Sequence, residues 1–80
     1  MGKEVPKADY GSDSMNLWYN TLFPGLYETK DPGNAKKALA FLDQYSSFRS
    51  FANYTGIAYA FERNGDFENA KKYYIHSLAL

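Results

Sequence analysis

Asp66-Phe67-Glu68-Asn69-Ala70-Lys71-Lys72 repeats Asp31-Pro32-Gly33-Asn34-Ala35-Lys36-Lys37 at five of seven places, 35 residues further along an 80-residue chain. A repeat of that period is a statement about architecture, because supersecondary units of this length stack and each buries the apolar face its neighbour cannot bury alone. In both copies an aspartate stands where its carboxylate can accept the free N–H groups of a helix's first turn, and Pro32 suits the first helical position. Ala35 and Ala70, one turn in, are small enough to let the preceding helix approach closely. That is a packing requirement and carries no chemistry.

Outward from these two helix starts the chain reads as helical throughout. After Asp31-Pro32 the stripe Ala35, Ala38, Leu39, Leu42 and Tyr45 predicts helix 2, with Lys36, Lys37, Asp43 and Gln44 on the other face, and Ser46-Ser47 interrupts it. Helix 3 is expected from Phe48 to Asn64, carrying Phe51, Tyr54, Ile57, Ala58 and Phe61 at three- and four-residue steps, with Gly65 as a left-handed stop. Asp66 caps helix 4, which shows Phe67, Ala70, Tyr74, Ser77 and Leu78 along one face. Upstream, Ser12 or Ser14 starts helix 1 through Leu17, Trp18, Leu22 and Phe23, and Pro24-Gly25 is expected to end or kink it, with Leu26 and Tyr27 continuing as a further turn. Residues 1–12 mix glycine, proline and charge without periodicity, the composition of an extended arm, so residues 13–80 form a single domain. No segment alternates with period two, and the fold class is all-α, about four helices in antiparallel helix–turn–helix pairs.

Composition narrows the function. The chain is 45% hydrophobic and 19% aromatic, with nine basic and nine acidic residues and no cysteine. Zero net charge argues against nucleic acid or an anionic membrane as the main partner, and the lack of cysteine removes disulfides and thiolate metal sites. The first fifteen residues lack an apolar core of signal-peptide length, and no run approaches the roughly 18 apolar residues of a membrane span. The expected compartment is the cytoplasm. Asn53-Tyr54-Thr55 fits a glycosylation triplet but falls inside helix 3. His76 is the single histidine, and helical spacing sets Lys72, Tyr73 and Leu80 beside it, which complete no catalytic set. Asp66 and Glu68 are explained as an N-cap and a first-turn acid in the helix dipole. Neither an enzyme, a metal or cofactor site, nor a small-molecule substrate is expected. Lys36-Lys37 and Lys71-Lys72 recur in register as a small basic ladder that reads as a solvated helix face.

Residues 51–80 resemble the tetratricopeptide repeat, a helix–turn–helix unit of about 34 residues. Tyr54, Ile57, Ala58, Phe61 and Gly65-Asp66-Phe67 stand at the family's first-helix and turn positions, and Ala70, Tyr74 and Ser77-Leu78 at those of its second helix. The 35-residue offset lays Tyr19, Leu22, Phe23 and Leu26 onto a degraded first unit, where Phe23 replaces a small residue and Lys30 the turn glycine. The resemblance implies an adaptor whose concave face, lined by the first helix of each unit, receives an extended peptide or a partner helix. The outward neighbours of the stripe on helix 3 are Thr55, Tyr59, Glu62 and Arg63, and the corresponding positions of helix 1 are Asn20 and Thr21. A subclass that captures a C-terminal carboxylate with lysine and asparagine is not expected, since Thr55, Gly56 and Tyr59 occupy those places.

Trp18, Tyr59, Tyr73 and Tyr45 exceed what two helix pairs can hide. Exposed aromatics are enriched where proteins bind one another, and for these residues contact surface and ordinary packing both stay open. Fewer than two good units fall short of the three that a stack ordinarily needs. The expected function is therefore a non-enzymatic protein–protein interaction module, a small adaptor or chaperone-like protein, whose open end is covered by a second copy through the C-terminal helix or by another protein. The alternative is a small regulatory or inhibitory protein that docks onto an enzyme or a secretion component, its N-terminal arm folding on binding.

Overall fold

A computed structural model describes residues 12–28 and 31–80, and the expected N-terminal arm lies almost wholly outside them. The fold is all-α, with four helices and no strand among the described residues. Helix α1 spans residues 12–28 in three consecutive segments: α-helical Ser12–Leu17, a π-helical turn Trp18–Leu22, and α-helical Phe23–Glu28. Helix α2 is Pro32–Gln44, α3 is Phe51–Arg63 and α4 is Phe67–Leu78. None is long and apolar enough to cross a membrane.

Pro24 does not end helix α1. Proline lacks the N–H for the bond to the carbonyl four residues back, and its ring clashes with that carbonyl, here Asn20. Asn20 lies inside the π turn, where Phe23 N–H reaches back to the Trp18 carbonyl and the helix widens. The expected interruption is absorbed as a bulge, and the chain continues helically to Glu28.

That widened turn sits over the centre of the core. Trp18 is 0% exposed, its indole stacked 5.2 Å from the Phe41 ring, with Phe23 at 5.8 Å and Phe48 at 6.2 Å. Packing is thus the outcome for Trp18, and contact surface is not. Leu17, expected in the stripe, is exposed, and Leu26 is fully buried in the same core as Leu42, Ala35, Ala38 and Ile57.

Both repeated aspartates cap as expected. Asp31 Oδ1 accepts from Gly33 N–H at 2.9 Å, and Asp66 Oδ1 from Asn69 N–H at 3.3 Å. Ala35 and Ala70 are both buried. Helix α3 begins later than Phe48: Ser46–Phe48 forms a 3₁₀ turn that buries Phe48, and Ser50 Oγ accepts from Asn53 N–H at 3.1 Å as the N-cap. Phe51, expected on the core stripe, is therefore a first-turn residue and exposed. Asn53 Nδ2 donates to the Phe48 carbonyl at 2.7 Å, which ties the triplet asparagine into this turn. Gly65, at φ 81°, closes α3 in a Schellman arrangement, with Asp66 N–H on the Phe61 carbonyl at 2.9 Å and Gly65 N–H on the Glu62 carbonyl at 3.0 Å. On α4 the buried arc is Ala70, Tyr73, Tyr74 and Ser77, so Phe67 and Leu78, expected in the core, lie outside it.

Candidate functional site

The second half of α1 packs directly on α3, and a glycine makes this possible. A Cβ on Gly56 would stand 3.0 Å from Tyr27 Oη and 3.1 Å from Phe23 Cε1. Phe23, bulky where the equivalent position 58 holds alanine, is thus accommodated by a residue with no side chain on the facing helix. The close approach sets the Tyr27 ring against the Tyr59 ring, 5.5 Å apart and stacked, both about two-fifths exposed.

Arg63 locks this junction. Its Nη1 donates to the Leu26 carbonyl at 3.0 Å and the Tyr27 carbonyl at 2.5 Å, and its guanidinium lies 5.6 Å from the Tyr59 ring centroid. The carbonyls of a helix's last turn have no intrahelical partner, so the guanidinium closes α1 as a C-cap supplied from α3. Asn34 Nδ2 adds a bond to the Gly25 carbonyl at 3.2 Å. From α4, Tyr74 Oη donates to Glu62 Oε1 at 2.8 Å. Burial of the phenol and this bond to a carboxylate push the Tyr74 pKa up to about 12.

Of the residues singled out in the sequence, Tyr59, Glu62 and Arg63 come together here with Tyr27 and Tyr74. Thr55 lies one turn back on the same face of α3, half-buried, its Oγ1 donating to the Ala52 carbonyl at 2.9 Å. Asn20 and Thr21 are exposed on the π turn of α1, and Asn20 Nδ2 reaches Asn16 Oδ1 at 3.4 Å. Tyr73 stands apart from the cluster, half-buried between the Phe61 ring at 5.8 Å and the Tyr54 ring at 6.4 Å. His76 is exposed with its ring edge-on to Tyr54 at 4.5 Å. Burial raises the Tyr54 pKa above its ordinary value against a lowering by Arg49. Tyr45 is half-buried against Phe41 at 4.6 Å.

Tyr27 is the member that sequence reading passed over. The 35-residue offset was the available signal, since it pairs Tyr27 with Glu62 on the expected groove face, but only if helix α1 keeps its register through Pro24. Among the described residues no three metal-ligating side chains come together. Compared with known protein families, characterised proteins and solved structures, the chain matches none.

Proposed function

We propose that the chain is a cytoplasmic, non-catalytic protein–protein interaction module of tetratricopeptide-like build, which takes an extended peptide or a partner helix across the face shared by the second half of α1 and α3. The observation that carries it is the stacked, two-fifths exposed pair Tyr27 and Tyr59, with Arg63 holding the two helices together beneath it. Tyrosine offers a large apolar contact area at low conformational cost together with a polar tip, and a rigid, paired presentation lowers the ordering cost of binding. Repeat-like caps at Asp31 and Asp66 and buried alanines at 35 and 70 support the architectural part of the reading.

The test is a selection from a displayed peptide library on the full chain. Enriched peptides should lose at least about tenfold in affinity for Tyr59→Glu, as expected of a central aromatic contact, and keep their affinity for Lys36→Glu, an exposed change on α2. Peptides indifferent to Tyr59→Glu, or no enrichment, would remove this face from the account. Arg63 is unsuited to the test because its loss would uncap α1.

A further inference from the structure

The stacked tyrosines come from two helices, and the segment that brings Tyr27 carries little helical stability of its own. Phe23–Glu28 is six residues long and contains both Pro24 and Gly25. Proline supplies no N–H for the helix ladder, and glycine costs more backbone entropy in a helix than any other residue. The carbonyls of this segment take their bonds from elsewhere, Gly25 from Asn34 on α2, and Leu26 and Tyr27 from Arg63 on α3. What holds the segment down is packing: Leu26 is fully buried, and Tyr27 Oη lies over Gly56, 3.0 Å from where a Cβ would stand.

The guanidinium that holds these carbonyls also lies 5.6 Å from the Tyr59 ring, which stacks on Tyr27. Lock and aromatic pair are one assembly. When Phe23–Glu28 lifts from α3, Arg63 loses both acceptors and Tyr59 loses its stacked partner together. Burial of Leu26 makes the docked arrangement the ground state, and segments held by borrowed bonds open at the low end of a fold's local free energies. On the footing of the binding face proposed above, we propose that the second half of α1 is a strap whose docking on α3 assembles that face, so that peptide binding and strap closure reinforce each other through Arg63. A peptide that contacts Tyr27 and Tyr59 as a stacked pair binds the docked state alone. Its apparent dissociation constant is the intrinsic one divided by the docked fraction, and by reciprocity the peptide raises that fraction. Arg63 is then a positioning residue, setting the docked fraction without having to touch the peptide. Gly25 acts on the same equilibrium in the other direction. It sits in ordinary helical backbone, and the nearest neighbours of a Cβ there are atoms of Asn34, the closest at 3.4 Å, so alanine favours the helical strap without touching the tyrosines.

Isothermal titration calorimetry of the full chain, with a displayed peptide whose binding Tyr59→Glu disrupts, tests this together with amide hydrogen exchange. Arg63→Lys, which keeps the charge and gives up the fork of donors, should weaken binding at least about threefold. Arg63→Lys combined with Gly25→Ala should recover most of that loss, a rescue that a direct contact between Arg63 and the peptide would not show. Saturating peptide should slow exchange in the last turn of α1 of the native chain, and Arg63→Lys should speed it in the free chain. Affinity indifferent to Arg63→Lys, a loss that Gly25→Ala does not recover, or exchange at the end of α1 that the peptide leaves unchanged would overturn the strap and leave the groove reading in place. A selection that yields no peptide sensitive to Tyr59→Glu removes both.

Discussion

Helix α3 is closed by bonds within its own turn, whereas the last turn of helix α1 receives bonds from its neighbours. At α3 the glycine at φ 81° folds the chain back so that Gly65 and Asp66 N–H groups satisfy the Glu62 and Phe61 carbonyls, all within the turn. At α1 the equivalent turn residue is Lys30, and the carbonyls of Gly25, Leu26 and Tyr27 are satisfied by Asn34 and Arg63 from the next two helices. Arg49 does the same for α2, with Nε on the Leu42 carbonyl at 2.7 Å and Nη2 on the Asp43 carbonyl at 2.9 Å. A local cap keeps its helix when the rest of the fold loosens, but a cap borrowed across 36 or 37 residues of sequence exists only in the assembled structure. Among the described residues, the end of α1 therefore draws on tertiary bonds that the end of α3 does not need.

Truncation at the centre of the first hairpin should have the largest effect. Trp18→Ala removes the ring that Phe23, Phe41 and Phe48 surround, and large-to-small core changes of this kind cost about 3–5 kcal/mol. Against a total of about 5–15 kcal/mol for a domain, urea titration followed by circular dichroism should show a folded state close to lost. Tyr73→Ala, half-buried in the second hairpin, should cost clearly less. If the two are equal, the first hairpin is not the more dependent one.

Overpacking the helix crossing comes next. Gly56→Leu places a side chain where a Cβ alone already meets Tyr27 and Phe23 at 3.0 and 3.1 Å, which should cost about 1–3 kcal/mol. Thr21→Leu at the equivalent, exposed position of α1 should stay within about 0.5 kcal/mol. The two kinds of cap can then be set against each other. Arg63→Ala should cost about 1–2 kcal/mol, since a half-buried charged donor is worth less than a fully buried one. Its signature in amide hydrogen exchange is faster exchange through the last turn of α1. Gly65→Ala, forced to hold a left-handed φ, should cost about as much, with faster exchange confined to the end of α3.

The smallest effect is in the alkaline range. The Tyr74 pKa is raised to about 12 in the folded state, so the folded chain holds this proton after the unfolded chain, near pH 10, has lost its own. Its contribution is complete below pH 10 and declines as pH rises from 10 to 12. In an ultraviolet titration of phenolate formation the last tyrosine to ionise should disappear in Tyr74→Phe, and stability above pH 10 should fall less steeply in that variant.

What could be read from the sequence follows the same division. The aspartate caps, the buried alanines and the Gly65 stop are decided by residues within one turn of each other, and they stand where the repeat sets them. An end or kink at Pro24 is what the proline's local effect predicts, whereas the π turn that relieves it is stabilised by the burial of Trp18 among rings from α2 and the 3₁₀ turn. Tyr59, Glu62 and Arg63 were legible as one face of a helix, but Arg63's bonds to Leu26 and Tyr27 are invisible to periodicity. Phe67 and Leu78 looked like core because a 3.6-residue period finds a stripe without fixing which edge of it meets the neighbouring helix.

The two helix ends hold the account's central claim, that the last turn of α1 is held by Arg63 from α3 while the end of α3 is held by its own glycine turn. Residue-by-residue amide hydrogen exchange on the full chain compares them directly in Arg63→Lys and Gly65→Ala. Arg63→Lys should speed exchange in the last turn of α1 and leave the end of α3 unchanged, and Gly65→Ala should do the reverse. Exchange at the end of α1 that is indifferent to Arg63→Lys would contradict it.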